Sequence, residues 1–276
     1  MKKRITRFRP QIRSRHGTHD VLRPKGAMPL FPIRTLIRFG STTDLSNPGR
    51  YPIQINSVDA IKNSSNKLLM KRCFKAGNVR TAVWYTYRNG RLYDEINERT
   101  VETNDLVFPI IAKRHFGSRG QGNTKLNSLE DFNSYIAKGS LNNTLFEKFY
   151  NYAREYRLHV TAEGCFYTCR KMMKRDTPED NKWYKNDNNC VWILEERPDF
   201  DKPYNWNEVV KESVKALNSV GLDFGAIDLR IQSNKDQKNP AFIVVEINSA
   251  PSFGAKTGEK YKVMLTKMLH KKVKRL

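Results

Sequence analysis

No run in the 276-residue chain approaches the ~20 apolar residues that a membrane span needs. The opening Met1-Lys2-Lys3-Arg4 leads into more basic residues instead of the apolar core of a signal peptide. No membrane partner is therefore expected, and the sequence reads as cytoplasmic. Cysteine is scarce. Cys73, Cys165, Cys169 and Cys190 are too few and too irregular for a disulfide framework, and Cys165 with Cys169 lacks the second ligand pair of a zinc site. Also missing are a glycine-rich loop ending in Gly-Lys-Ser/Thr, a dinucleotide fingerprint that runs into a helix, and a serine or cysteine nucleophile motif.

Acidic residues are the last shortage: 28 stand against 50 lysines and arginines, for a net charge of +22. With 38% hydrophobic residues the chain is still an ordinary globular one, long enough for one large core or several small lobes. The surplus favours nucleotide phosphates, nucleic acid or acidic protein without choosing among them. It gathers at the ends, with eleven Lys or Arg against the single acid Asp20 in residues 1 to 40, and seven against none in 260 to 276. Such ends read either as solvated basic arms or as docking segments for a polyanion.

Residues 1 to 28, rich in Arg and Pro and without apolar periodicity, read as an irregular arm. The folded part is expected from Pro29, with a strand over Phe31 to Phe39. Ser64, Ser65 or Asn66 can cap a helix that turns Leu68, Leu69, Cys73 and Phe74 inward and stops at Gly77. A strand over Thr81 to Tyr87 precedes a turn at Asn89-Gly90. Ser128 and Asp131 resemble a capping box for a helix with Phe132, Tyr135 and Ile136 inward. Strands are expected over 145–149, 156–161 and 166–171, and the clearest helix runs from an Asn205 cap to Gly221. Gly225 to Ile231 and Ala241 to Ile247 make a closing strand pair.

Three constellations carry chemistry. Glu246 and Asn248 are two apart on a strand and so share a face, and an antiparallel neighbour can bring Asp228 beside them. Two carboxylates and an amide oxygen suit magnesium held together with phosphates. Taken alone, the pair is equally an edge strand facing water. Lys113, followed by Gly117, Ser118, Gly120 and Gly122, puts a cation next to backbone N–H groups that can approach phosphate oxygens, although three close glycines also occur in plain hairpins. Glu155, Arg157 and His159 alternate with apolar residues, so that face lines a cleft or is simply half solvated.

In order along the chain, these pieces resemble the ATP-grasp superfamily, in particular small carboxylate-amine ligases of the RimK-like type and related bacteriophage ligase-like proteins. The resemblance rests on Asn66-Lys67, Lys113 before the glycine-rich segment, Glu147, Glu155-Tyr156-Arg157, Lys171, Gly221 to Asp228, and Glu246-Ile247-Asn248-Ser249-Ala250-Pro251, and it covers residues 60 to 256. It implies an α+β fold of two lobes that sandwich ATP, preceded by a short basic N-terminal lobe or arm. The implied divisions are an arm over 1–28, a short lobe over 29–63, a first subdomain with a glycine-rich lid over 64–147, and a second with the metal site and a basic tail over 148–276.

The same resemblance implies Lys67 and Lys113 on the phosphates, with Gly117, Ser118, Gly120 and Gly122 as a lid over them. It implies Glu147, Lys148 and Phe149 around adenine, Glu155 at the ribose, and Asp228, Glu246 and Asn248 on two magnesium ions. Arg157 then clamps the acylphosphate or carboxylate, and Lys171 assists the phosphates. The implied partners are ATP, a carboxylate substrate and an amine donor, with host cytoplasm as the location if a phage encodes the protein. The basic surplus adds an acidic protein or nucleic-acid partner, or alternatively a non-catalytic binding protein that kept the fold. Trp183, Tyr184 and Trp192 read as base-stacking residues or as cleft wall.

Overall fold

A computed structural model describes residues 6–43, 45–117, 122–139, 141–185, 188–232, 239–252 and 254–276. Three parallel strands open it side by side, β1 (Gln11–Ser14), β2 (Thr35–Phe39) and β3 (Ile53–Ile55). β1 overturns the expectation of an irregular arm across 1–28. Ile12, Leu22 and Met28 are buried in one core with Phe31, Ile37 and Phe39. The segment hid this because Gln-Ile-Arg-Ser offers one apolar residue, too few to show a period.

Two short helices follow, α1 (Val58–Ser65) and α2 (Lys67–Ala76). Ser57 caps the first by accepting the N–H of Ala60. Asn66 caps the second by accepting those of Leu68 and Leu69. Gly77 ends α2 at φ −84°, so what it supplies is space: a Cβ there would lie 2.7 Å from that of Ser219.

The smaller lobe is a six-stranded antiparallel sheet of β4 (Trp84–Arg88), β5 (Arg91–Asp94), β6 (Arg99–Val101), β7 (Ile110–Arg114), β8 (Asn123–Leu126) and β9 (Thr144–Lys148), in the order β6-β5-β4-β9-β7-β8. Asn89 and Gly90 turn β4 into β5 with φ of 49° and 78°, the left-handed pair of a type I′ hairpin. Helix α3 (Leu129–Ala137) covers this sheet with Phe132, Tyr135 and Ile136. Its start is fixed as expected, since Ser128 accepts the N–H of Asp131 and Asp131 accepts that of Asn127.

The larger lobe is a five-stranded antiparallel sheet, ordered β12-β11-β10-β13-β14, of β10 (Arg154–Thr161), β11 (Gly164–Met173), β12 (Cys190–Glu195), β13 (Phe224–Ile231) and β14 (Phe242–Asn248). Tyr156, Leu158 and Val160 of β10, with Ile227, Leu229 and Ile231 of β13, bury one face against helix α4 (Trp206–Val220). That helix ends at Gly221, in the left-handed region at φ 81°. Asn205 does not cap it through its side chain, which donates instead to Asn239 Oδ1 and Pro240 O. The basic tail expected at the C-terminus is a helix, α5 (Ala255–Val273), with Tyr261, Leu265 and Leu269 buried on the opposite face of the sheet and against the N-terminal strands. No helix among the described residues is long and apolar enough to cross a membrane.

Candidate active site

The two larger sheets enclose a cleft between them. On the five-stranded side the register sets Asp228 opposite Glu246 and Ala226 opposite Asn248, and Asn248 Nδ2 donates to Glu246 Oε1 at 3.4 Å. All three candidate metal ligands therefore share one face. A β-bulge makes this possible: the register jumps between Asp228 and Leu229, which pairs with Val244, so Val245 is an extra residue. No sequence signal marked it.

Asp228 does not stand free. Arg157 grips it with Nε to Oδ1 at 2.6 Å and Nη2 to Oδ2 at 2.8 Å, and Lys171 Nζ lies 3.3 Å from Oδ2. Lys171 also holds Glu155 at 2.8 Å, and Arg230 reaches the same carboxylate at 3.3 Å. Burial pulls the Asp228 carboxyl upward, but Arg157 and Lys171 outweigh it and hold the group well below the usual carboxylate range. Glu155 is lowered in the same way by Lys171 and Arg230 against its own burial. Arg157 is thus spent on Asp228 and stacks over Trp192 at 4.5 Å, and neither it nor Asn248 is among the residues that line the cleft. Among the described residues, no three His, Cys, Asp or Glu side chains gather as a metal cluster. Two carboxylates and an amide oxygen on one face nevertheless fit magnesium in donor chemistry, with Asp228 shared between the ion and Arg157.

The opposite wall is built on β7, β9 and α2. Lys113 Nζ lies 2.6 Å from Glu147 Oε2, and Lys71 Nζ lies 3.1 Å from Glu147 Oε1. Lys71 was missed from sequence. On α2 it reads as one more surface lysine, but its ammonium is fully buried and also donates to Thr81 Oγ1 at 2.6 Å. The i, i+4 spacing from Lys67, one turn along a helix that faces the cleft, was the available signal. Burial pushes Lys71 down to about 8, against the pull of Glu147. For Glu147, burial works upward, but Lys113 and Lys71 bring it to about 2. This glutamate is therefore the shared counter-ion of two lysines. The N–H groups of Lys148 and Phe149 are likewise committed, to Val83 O and Pro109 O at 2.9 and 3.1 Å. A base at this strand would meet side chains and carbonyl oxygens instead of those two donors.

Lys67, at the first turn of α2, lines the cleft and donates Nζ to Gly117 O at 2.8 Å, while its own N–H donates to His115 O. Burial, then Lys113, lowers its pKa. Gly122 has φ 76°, and a Cβ there would press on Arg114 at 3.0 Å. Ser118 and Gly120 lie outside the described residues. Lys148, Phe149, Glu155, Lys171, Asp228 and Glu246 all line the cleft. Trp183 and Tyr184 pack against each other as cleft wall, their rings tilted with centroids 4.5 Å apart, and Lys185, which was not anticipated, donates to Ala153 O at 2.6 Å. His159 shares the strand face of Glu155 and Arg157 but stays out of the cleft, in a hydrogen-bonded structural place. It is buried under α5 with Nδ1 2.8 Å from the Tyr261 hydroxyl, and burial, then Arg157, takes it down to about 3.

The arrangement is an apolar slot, with Ala82, Ile111 and Ile243, running into two walls of paired charges. It can take an apolar ring at one end and an anion that competes for lysines at the other. Neither a protein-family model nor a curated sequence matches the chain. Solved structures do. Carboxyaminoimidazole ribonucleotide synthase from Aspergillus clavatus complexed with ATP is 14% identical at a TM-score of 0.54, covering 78% of this chain and 53% of that one. D-alanine–D-alanine ligase from Bacillus anthracis complexed with ATP is 13% identical at 0.55, covering 79% and 69%. N5-carboxyaminoimidazole synthetase from Staphylococcus aureus complexed with ADP is 18% identical at 0.55, covering 79% and 54%. The chain has the ATP-grasp fold. The chain spans between about half and about two thirds of the length of these structures.

Proposed function

We propose that this protein is an ATP- and magnesium-dependent ligase of the RimK-like type that joins a carboxylate to an amine. The observation that carries the reading is the cleft itself, with Lys67 and Lys113 on one side and Asp228 and Glu246 facing them from the other. The folds it resembles include ligases bound to ATP or ADP.

In this reading the base enters the apolar slot, with Phe149 and Tyr184 beside it, and Glu155 turns from its lysine toward the ribose. Lys67 and Lys113 take the phosphate oxygens. Both are already partnered, Lys67 to the Gly117 carbonyl and Lys113 to the Glu147 carboxylate, so phosphate oxygens replace existing acceptors instead of meeting bare buried charge. Asp228, Glu246 and Asn248 would hold magnesium, two ions in this proposal, and bound there it would neutralise charge on the transferring phosphoryl group. A substrate carboxylate oxygen bonds to the γ-phosphorus as the bond to ADP breaks, giving an acylphosphate. An amine nitrogen then attacks the acyl carbon, phosphate leaves with the carbon–oxygen bond's electrons, and the amine proton is released to give the amide. Arg157, paired with Asp228, and Lys171, paired with Glu155, steady the acylphosphate.

The test is calorimetric titration of ATP with and without magnesium, on the wild type and on Glu246→Ala with Asn248→Ala. Magnesium-dependent binding that the double variant loses is the expected result. A wild type that binds no ATP would remove the enzyme reading.

A further inference from the structure

A second concavity lies at the other end of β10, between the 161–164 turn that joins β10 to β11 and the exposed side of α5. It shares no lining residue with the nucleotide cleft. Thr161 is six residues along the strand from Glu155, about 20 Å at 3.3 Å per residue, so the groove is a separate surface.

Its composition is divided. Val263, Met264 and Met268 form an aliphatic and thioether strip along α5, with Val263 69% exposed. Five cations border the strip, Lys260, Lys267, Lys271, Lys272 and Arg275, against two acids, Glu163 and Asp223. Both acids are in use. Glu163 on the turn pairs with Lys271 and, at 3.7 Å, with Lys267, while Asp223 holds Lys272 at 2.7 Å. Lys260 and Arg275 have no carboxylate partner among the described residues. The pairs of Glu163 with Lys267 and Lys271 are exposed and so hold little energy, leaving these two cations ready to accept other carboxylates.

We infer that this groove docks an acidic, amphipathic polypeptide segment of a partner protein. Charge complementarity selects an anionic occupant, and the apolar strip selects one that also brings aliphatic side chains. Methionines suit this role, because their flexible side chains adapt to an incoming apolar face. A nucleic-acid strand fits less well. Bases stack on aromatic faces, and the aromatic ring here, Phe166, is already engaged edge-on by Tyr261 at 5.2 Å. A lipid surface is flat, whereas the 161–164 turn stands as a wall opposite α5. The inference does not depend on the ligase reading.

The probe is a fluorescein-labelled peptide of about four helical turns with leucine on one face and glutamate on its flanks, titrated against the full chain by anisotropy. Saturable binding is expected. It should weaken at least about tenfold in Lys267→Glu with Lys271→Glu, and again in Val263→Asp, while ATP affinity stays unchanged. These positions are 78%, 50% and 69% exposed, so the variants should keep the wild-type melting curve, which is recorded alongside. Several results overturn the inference: no saturation up to about 1 mM, binding that survives both variants, or an all-glutamate peptide that binds equally well. A single-stranded oligonucleotide or phosphatidylserine vesicles that bind through these residues more tightly than the peptide would also overturn it.

Discussion

The two faces of the five-stranded sheet are built from the same strands and solve opposite problems. On β10, Tyr156, Leu158 and Val160 point to α4 and are fully buried among apolar neighbours. Between them, Glu155 and Arg157 point to the cleft side and are also largely buried, but only because each has an opposite charge within about 3 Å. One face gains stability from area removed from water, the other keeps charges dry by pairing them. The first tolerates loss of a partner by degrees, whereas the second loses a whole counter-ion at once.

Breaking a pair should therefore cost more than trimming the core. The same rule holds across the cleft, on β9 of the other sheet, where Glu147→Gln leaves the buried Lys71 ammonium without its carboxylate, and about 3–5 kcal/mol should be lost in urea unfolding. An unmoved midpoint would mean that Lys71 is neutral or hydrated in the fold. The same variant tests the acid limb. Glu147 sits at about 2 in the fold against 4.5 for the free group, so the stability it lends is complete above pH 4.5 and is lost as pH falls toward 2. The Gln variant should lack that part of the slope.

On the apolar face, Leu158→Ala should cost about 2–4 kcal/mol by transfer and cavity terms, with ATP affinity of the folded protein unchanged. A fall in affinity equal to that of a cleft variant would erase the distinction between the faces. The smallest effect is expected where the two regimes meet, under α5. Tyr261→Phe removes the hydroxyl that meets His159 Nδ1, and about 1–2 kcal/mol should go, read as a small drop in melting temperature. A gain in stability would show that the histidine finds its partner elsewhere.

Much of this was legible beforehand for a physical reason: local signals survive folding. The Ser128 and Asp131 capping box, the Asn66 cap, the Gly221 stop and the Asn89-Gly90 turn all act within a few residues, and each is in place. The shared face of Glu246 and Asn248 followed from strand pitch. What stayed hidden depends on distant partners. Lys71 is buried only because Glu147, on another element, neutralises it. Arg157 and Asp228 were given separate roles, and their pairing needs the register of β10 against β13. The ends misled because composition outweighed pattern. Lysines crowd the solvent side of α5, while the period that buries Tyr261, Leu265 and Leu269 was already present beneath them.

The extra residue at Val245 also sets a phase. Before it, Phe242 and Val244 face the core and Ile243 the cleft; after it, Glu246 faces the cleft and Ile247 the core, so odd and even positions have traded sides. Were Val245 drawn into the regular ladder opposite Asp228, the glutamate and asparagine would turn into the apolar layer beneath α4, whereas a strand one residue shorter, with Glu246 directly after Val244, would keep both on the cleft side. The sides of this strand thus depend on Val245 staying outside the ladder, so the strand can lose that residue more safely than it can slip by one.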